Sequence, residues 1–182
     1  MEILESLAFC QNPSKRKILY APYGSNLLRE RFLVYIEGGK FRGKGDPYPG
    51  CRDKTVPIDR GWMRVPHRLY FAKKSKRWNG GVAFLSCRKE EDESLWAVVR
   101  LWEITEEQFC DIWEQEGKGW YHAVLYLGKH EETELEIYTI TGCWEDEKNP
   151  PSADYLDVLR EGLRETTGWD DAKIDEYLRK FI

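Results

Sequence analysis

No apolar run in this chain approaches the roughly 20 residues needed to cross a bilayer. The first seventeen residues also lack the basic start of a secretory signal. Glu2 and Glu5 precede a short apolar patch, Leu7, Ala8, Phe9 and Cys10, so a cytoplasmic protein off the membrane is expected. Cysteine is sparse and scattered: Cys10, Cys51, Cys87, Cys110 and Cys143 form no C-x-x-C pair. A zinc or thiol–disulfide motif is therefore unsupported, and reduced, structural thiols are expected. The three histidines, His67, His122 and His130, have no metal-ligand spacing, so no metal and no cofactor are expected. Excess positive charge is missing too. The formal net charge is −4 and the pI about 5.6, which argues against a nucleic-acid partner. The one basic cluster, Lys73, Lys74, Lys76 and Arg77, reads as a solvated loop between strands. Internal repeats and low-complexity segments are absent.

Aromatic residues are what the chain has in excess. They make up 14% of it, with eight tryptophans and ten tyrosines. Such side chains anchor small cores, and their polar tips also suit them to ligand pockets. At 182 residues, 41% of them hydrophobic, the chain is long enough for one domain with a real core.

A strand is predicted over 17–21, ending at Pro22 and turning at Gly24 into a helix over about 26–36. Leu28, Phe32, Tyr35 and Ile36 give that helix one buried face. Residues 38–61 are rich in glycine and proline and read as a long loop, with Phe41 and Tyr48 suited to pack it down. Strands follow over 67–73, 81–86 and 95–103. A helix over 106–116 is opened by a capping box, Thr105 with Gln108, and closed by Gly117. Residues 121–127 and 135–142 read as paired strands. Ser152 caps one late helix, Gly168 ends it, and Asp170 caps the last. The order is α+β, with a mixed sheet or a small closed barrel.

Two places could carry chemistry. On the helix over 106–116, Phe109, Ile112 and Trp113 mark the apolar stripe, and Glu116 completes it at i+7. A carboxylate occupies a core position at the negative end of a helix dipole. Burial and dipole would both raise its pKa above the usual value of about 4.3 and make it a better proton acceptor. The plainer reading is a frayed helix end with Glu116 in water. The second place is Tyr23-Gly24-Ser25-Asn26, where a strand gives way to a helix whose free N–H groups could hold a carboxylate or an oxyanion. An ordinary helix cap is the plainer reading there.

Together these pieces resemble the gamma-glutamylcyclotransferase family. Tyr20-Ala21-Pro22-Tyr23-Gly24-Ser25-Asn26-Leu27 is similar to that family's binding signature, with Pro22 where alanine is usual. Trp78-Asn79-Gly80-Gly81-Val82-Ala83, Trp96-Ala97-Val98-Val99, Glu114-Gln115-Glu116-Gly117 and Pro150-Pro151-Ser152 before Tyr155 follow in the family's order. The resemblance covers about 17–165. It implies an α+β fold, a small mixed β-barrel with flanking helices. One domain over 17–182 would follow an extension over 1–16 and carry an insertion at about 38–61.

It also implies metal-independent cyclisation of a gamma-glutamyl amide or peptide to 5-oxoproline and a free amine or amino acid. Glu116 would act as general base and acid. Tyr23, Gly24, Ser25, Asn26, Tyr121, Tyr138 and Tyr155 would form the substrate pocket. A monomer or homodimer with a small-molecule substrate, and no nucleic-acid or membrane partner, is expected. The rival expectation is a binding module on the same fold that turns nothing over.

Overall fold

The computed structural model describes the backbone at residues 3, 4 and 7–182 and side chains from residue 7 onward. Residues 1, 2, 5 and 6 of the expected extension lie outside the described residues. The strands are β1 (Ile3–Leu4), β2 (Lys17–Tyr20), β3 (Gly39–Phe41), β4 (Lys44–Tyr48), β5 (Ile58–Val65), β6 (His67–Ser75), β7 (Gly80–Lys89), β8 (Ala97–Thr105), β9 (Ala123–Lys129) and β10 (Glu136–Thr141). The helices are α1 (Ala8–Gln11), α2 (Arg29–Glu37), α3 (Glu106–Glu116), α4 (Ala153–Thr167) and α5 (Asp171–Arg179). No described helix is long and apolar enough to cross a membrane.

Six strands form one mixed sheet in the order β1-β9-β10-β2-β8-β5. Its neighbours are antiparallel except β2 and β10, which run parallel at the centre. The ladders add two separate ribbons, β3–β4 and β6–β7. Thr141 ties the β6–β7 ribbon to the sheet: its Oγ1 accepts from Leu85 N (2.8 Å) and donates to Leu85 O (2.7 Å).

β2 is buried on both faces, as a central strand reads. Ile18 and Tyr20 join one core with Phe32, Trp102, Phe109 and Ile112, where α2 and α3 pack. Leu19 and Ala21 join the opposite core with Leu27, Leu85, Val98 and Leu159. The period of two along the strand puts these pairs on opposite faces. Both helical layers begin as their sequences dictate. Thr105 and Gln108 form the capping box of α3, and Ser152 and Asp170 cap α4 and α5.

Three expectations need correction. First, α2 begins at Arg29, not Asn26, because a three-residue 3-10 turn (Ser25–Leu27) comes before it. Second, 38–61 is not all loop. It contains the β3–β4 hairpin and the first half of β5, and it is clamped along α3. Gly50 N donates to Gln115 Oε1 (2.9 Å), Arg52 pairs with Asp111 (3.0 Å), and Gln108 Nε2 donates to Asp53 O (3.1 Å). Third, four cysteines are paired rather than reduced. Cys10–Cys110 ties α1 to α3, Cys87–Cys143 ties β7 to the chain after β10, and Cys51 is free and buried. Separations of 100 and 56 residues leave no local spacing from which to read these pairs. The basic cluster spans the end of β6 and the turn to β7. Lys73 there pairs with Glu147 (2.8 Å) over the Trp144 ring.

Candidate active site

The site lies where the central parallel pair ends. Beyond β2 the chain stays in register with its neighbours: Ala21 N donates to Tyr138 O (2.9 Å) and Arg100 N donates to Pro22 O (3.1 Å). Pro22 is tolerated there because its carbonyl is the group in use and no ladder donor is lost. Tyr23 is buried, with its hydroxyl donating to Ile140 O (2.7 Å). The chain then closes the 3-10 turn through Leu27 N to Gly24 O (3.0 Å). Gly24 is held tightly. A Cβ there would stand 3.1 Å from both the Ala83 Cβ and the Tyr155 hydroxyl.

Asn26 is buried and faces two elements. Its Nδ2 donates to the Tyr20 hydroxyl (3.2 Å) and to Glu116 Oε1 (3.1 Å), while its Oδ1 has no partner. Glu116 is the last residue of α3, and Gly117 takes over at φ 90°, a conformation that favours glycine. Burial pushes the Glu116 carboxyl up from 4.5 to about 7, against the pull of the Arg31 charge and of hydrogen bonds from Tyr35 and Asn26.

Two small cavities meet at this carboxylate. The inner one, about 40 Å³, is lined by Tyr23, Gly24, Asn26 and Ile140 among others. The outer one, about 140 Å³, opens toward Arg31, Tyr35, Tyr48, Arg77 and Trp78. Ser25, Glu116, Tyr121 and Tyr155 line both. Tyr155 is a structural hub: its oxygen accepts from Ala83 N (3.0 Å) and from the Ser25 backbone. Tyr121 donates to Ala83 O (3.2 Å) and stacks on Phe84. A larger cavity, about 370 Å³, lies elsewhere, beside Tyr70, Asn149 and Phe181, and no acidic or histidine side chain lines it.

The residues expected at the site thus converge, with one exception. Tyr138 lines neither cavity. Its ring packs among Phe9, Phe109 and Tyr126 on the α3 side of the sheet. The sequence expectation also left out Arg31, Tyr35, Tyr48, Arg77 and Trp78. A signal for Arg31 was present, since it falls on the buried stripe of α2 between Leu28 and Tyr35, as Glu116 does on α3. No group of three or more His, Cys, Asp or Glu side chains among the described residues could hold a metal ion.

Chemically, the arrangement offers a carboxylate that burial raises toward neutrality, placed where two small cavities meet. No family model matches the chain. Histone deacetylase 5 of Arabidopsis thaliana is 30% identical over 93% of this chain, which spans about a third (31%) of that protein's length. Gamma-glutamylcyclotransferase of Homo sapiens is 27% identical over 84% of this chain and 73% of its own. The Mus musculus protein of the same name is 28% identical, over 81% and 70%. Among solved structures, a gamma-glutamyl cyclotransferase superposes with TM-score 0.65 at 20% identity, over 90% of this chain and 87% of its own. An uncharacterized protein from Homo sapiens gives 0.64 at 21%, over 89% and 86%. The fold is that of a gamma-glutamyl cyclotransferase. The resemblance to the gamma-glutamylcyclotransferase-like family holds in both sequence and structure.

Proposed function

We propose that this site cyclises a gamma-glutamyl group, releasing 5-oxoproline and a free amine or amino acid. The observation that carries the reading is the Glu116 carboxylate, raised to about 7 and held by Asn26 where the two cavities join. In the proposed reaction Glu116 takes a proton from the substrate's α-ammonium. The freed amine attacks the γ-carbonyl carbon of the same residue, forming the ring C–N bond. Glu116 returns the proton to the departing nitrogen as the original amide C–N bond breaks. The surplus proton left on the ring nitrogen then passes, again by way of Glu116, to the released amine, which leaves as an ammonium. One carboxylate serves both steps, and amine and carbonyl belong to one residue, so binding need only hold them in reach of each other. A group that titrates near the working pH is suited to take and give a proton in one cycle.

Tyr23, Gly24, Ser25 and Asn26 are assigned to the substrate's carboxylate and carbonyl oxygens. Tyr121 and Tyr155 form the walls. The three-residue turn gives this segment less dipole than a long helix would, so its role rests at close range on backbone N–H groups other than that of Ser25, which Tyr155 holds. The barrel expected from the resemblance belongs to the same reading: Thr141 brings the β6–β7 ribbon against the sheet and closes the pocket's far wall. Little supports a deacetylase reading, because the Arabidopsis relative matches over less than a third of its own length and its name describes the whole protein. The test is 5-oxoproline release from a panel of gamma-glutamyl amines, amino acids and peptides. Saturable binding without release would instead favour a binding module.

A further inference from the structure

We propose that the outer cavity is an anion-selecting subsite, in which Arg31 and Arg77 receive a carboxylate carried by the leaving amine. The inference rests on the cyclotransferase reading and goes beyond it by choosing among leaving groups by charge.

Arg31 is 2% exposed, yet it pairs with no carboxylate. Its Nη2 donates to the Tyr35 hydroxyl (3.3 Å) and the Tyr48 hydroxyl (2.8 Å), while Nε and Nη1 have no acceptor. The guanidinium lies 4.9 to 5.9 Å from the ring centres of Tyr35, Phe41, Tyr48 and Trp78. Aromatic faces compensate part of a buried cation's lost hydration but supply no neutralising charge. Of the four buried side-chain polar atoms without a partner among the described residues, two belong to Arg31 and one to Asn26. The imbalance is therefore concentrated at this site.

Arg77 stands at the same cavity. Its guanidinium donates to two backbone carbonyls, Lys44 O (3.2 Å) and Asp46 O (2.9 Å), and lies over the Tyr48 ring at 4.8 Å. Among the described residues Glu116 is the one acidic side chain lining this cavity. When Glu116 accepts a proton in the first chemical step it becomes neutral. Two guanidiniums then face the departing group with nothing to balance them. A diamine or polyamine leaving group would add positive charge to this field. An amino acid or peptide with a free carboxylate would neutralise it, and guanidinium is the side chain best matched to a carboxylate. Tyr48 and the two carbonyls come from the β3–β4 hairpin, so the segment after α2 builds the subsite.

The experiment compares gamma-glutamylglycine with gamma-glutamylglycinamide, which differ in the terminal charge. Binding is measured by calorimetry on Glu116→Gln and 5-oxoproline release on the unmutated chain. The acid should bind more tightly than the amide by on the order of 10- to 100-fold, as for a hydrogen bond between charged groups. Arg77→Gln should bring the ratio toward one, and Arg77→Lys should restore part of it. Arg77 is partly exposed, so its replacement spares the core that Arg31 helps to form. Equal or weaker binding of the acid, no binding of either compound, or an unchanged preference in Arg77→Gln overturns the proposal. An acid preference without 5-oxoproline from any compound would sink the cyclotransferase reading and leave the anion subsite in place.

Discussion

The side-chain amide of Asn26 donates to Oε1 of Glu116 across 3.1 Å, joining two residues 90 positions apart in the chain. The same nitrogen holds the Tyr20 hydroxyl, so the carboxylate is fixed to the end of β2. A donor of this kind favours the ionised acid and holds its pKa down against burial. Asn26→Leu removes the donor and keeps the site dry. The acid limb of kcat/KM, expected near pH 7, should move up by about one unit. A limb that stays in place or moves down would show that Asn26 does not tune Glu116.

The raised pKa of Glu116 makes a prediction about stability. With a folded-state value of about 7 against an ordinary 4.5, the native state binds more protons than the unfolded state between those values. Stability should therefore fall as pH rises through that window, and the full penalty should be present above pH 7. Glu116→Gln keeps the shape and removes the charge. Its unfolding free energy should exceed that of the unmutated chain at pH 8 by on the order of 2–3 kcal/mol, and the gain should vanish near pH 4.5. Denaturant melts at the two pH values check this. An equal difference at both would mean that Glu116 ionises freely in the folded protein.

Tyr155 and Tyr138 should behave oppositely. Tyr155→Phe leaves the Ala83 N–H without its acceptor and frees the Ser25 backbone, at a cost of about 1–3 kcal/mol in stability and with a marked loss of turnover. Tyr138→Phe keeps a ring that packs away from both cavities, so turnover should stay within about twofold. Thermal melts and 5-oxoproline assays on both variants decide. A large loss of activity in Tyr138→Phe would contradict the placement of the pocket.

The cysteine pairing is open to direct counting. Unfolded without reductant, the protein should expose one titratable thiol, that of Cys51. Reduction should lower the melting temperature, because the Cys10–Cys110 bridge spans 100 residues and a bridge of that kind contributes about 2–5 kcal/mol. Five thiols, or a melting temperature indifferent to reductant, would contradict the pairing.

Much of this was legible in the sequence because it is local. The caps of α3, α4 and α5 depend on residues three apart, and the stripe of α3 singled out Glu116. Arg31 carries the same signal on α2 and can be read by the same rule. Other features are long-range. β5 is an edge strand, mostly exposed, with a register shift between Asp59 and Trp62 around Gly61 at φ 90°, so no alternation marks it. Tyr138 sits beside a register irregularity at Ile137/Tyr138, and a motif that locates a strand does not say which face a side chain takes. The contacts that turn 38–61 into a wall of the outer cavity come from α3, far along the chain.

The measurement that bears most directly on the central claim is 5-oxoproline release from gamma-glutamyl substrates by the unmutated protein and by Glu116→Gln. The variant should bind substrate and fold as before, while its turnover should fall by on the order of 10²-fold or more, as for loss of a general base. Near-normal release by Glu116→Gln would contradict the role given to Glu116, and no release from any gamma-glutamyl compound by the unmutated chain would contradict the activity itself.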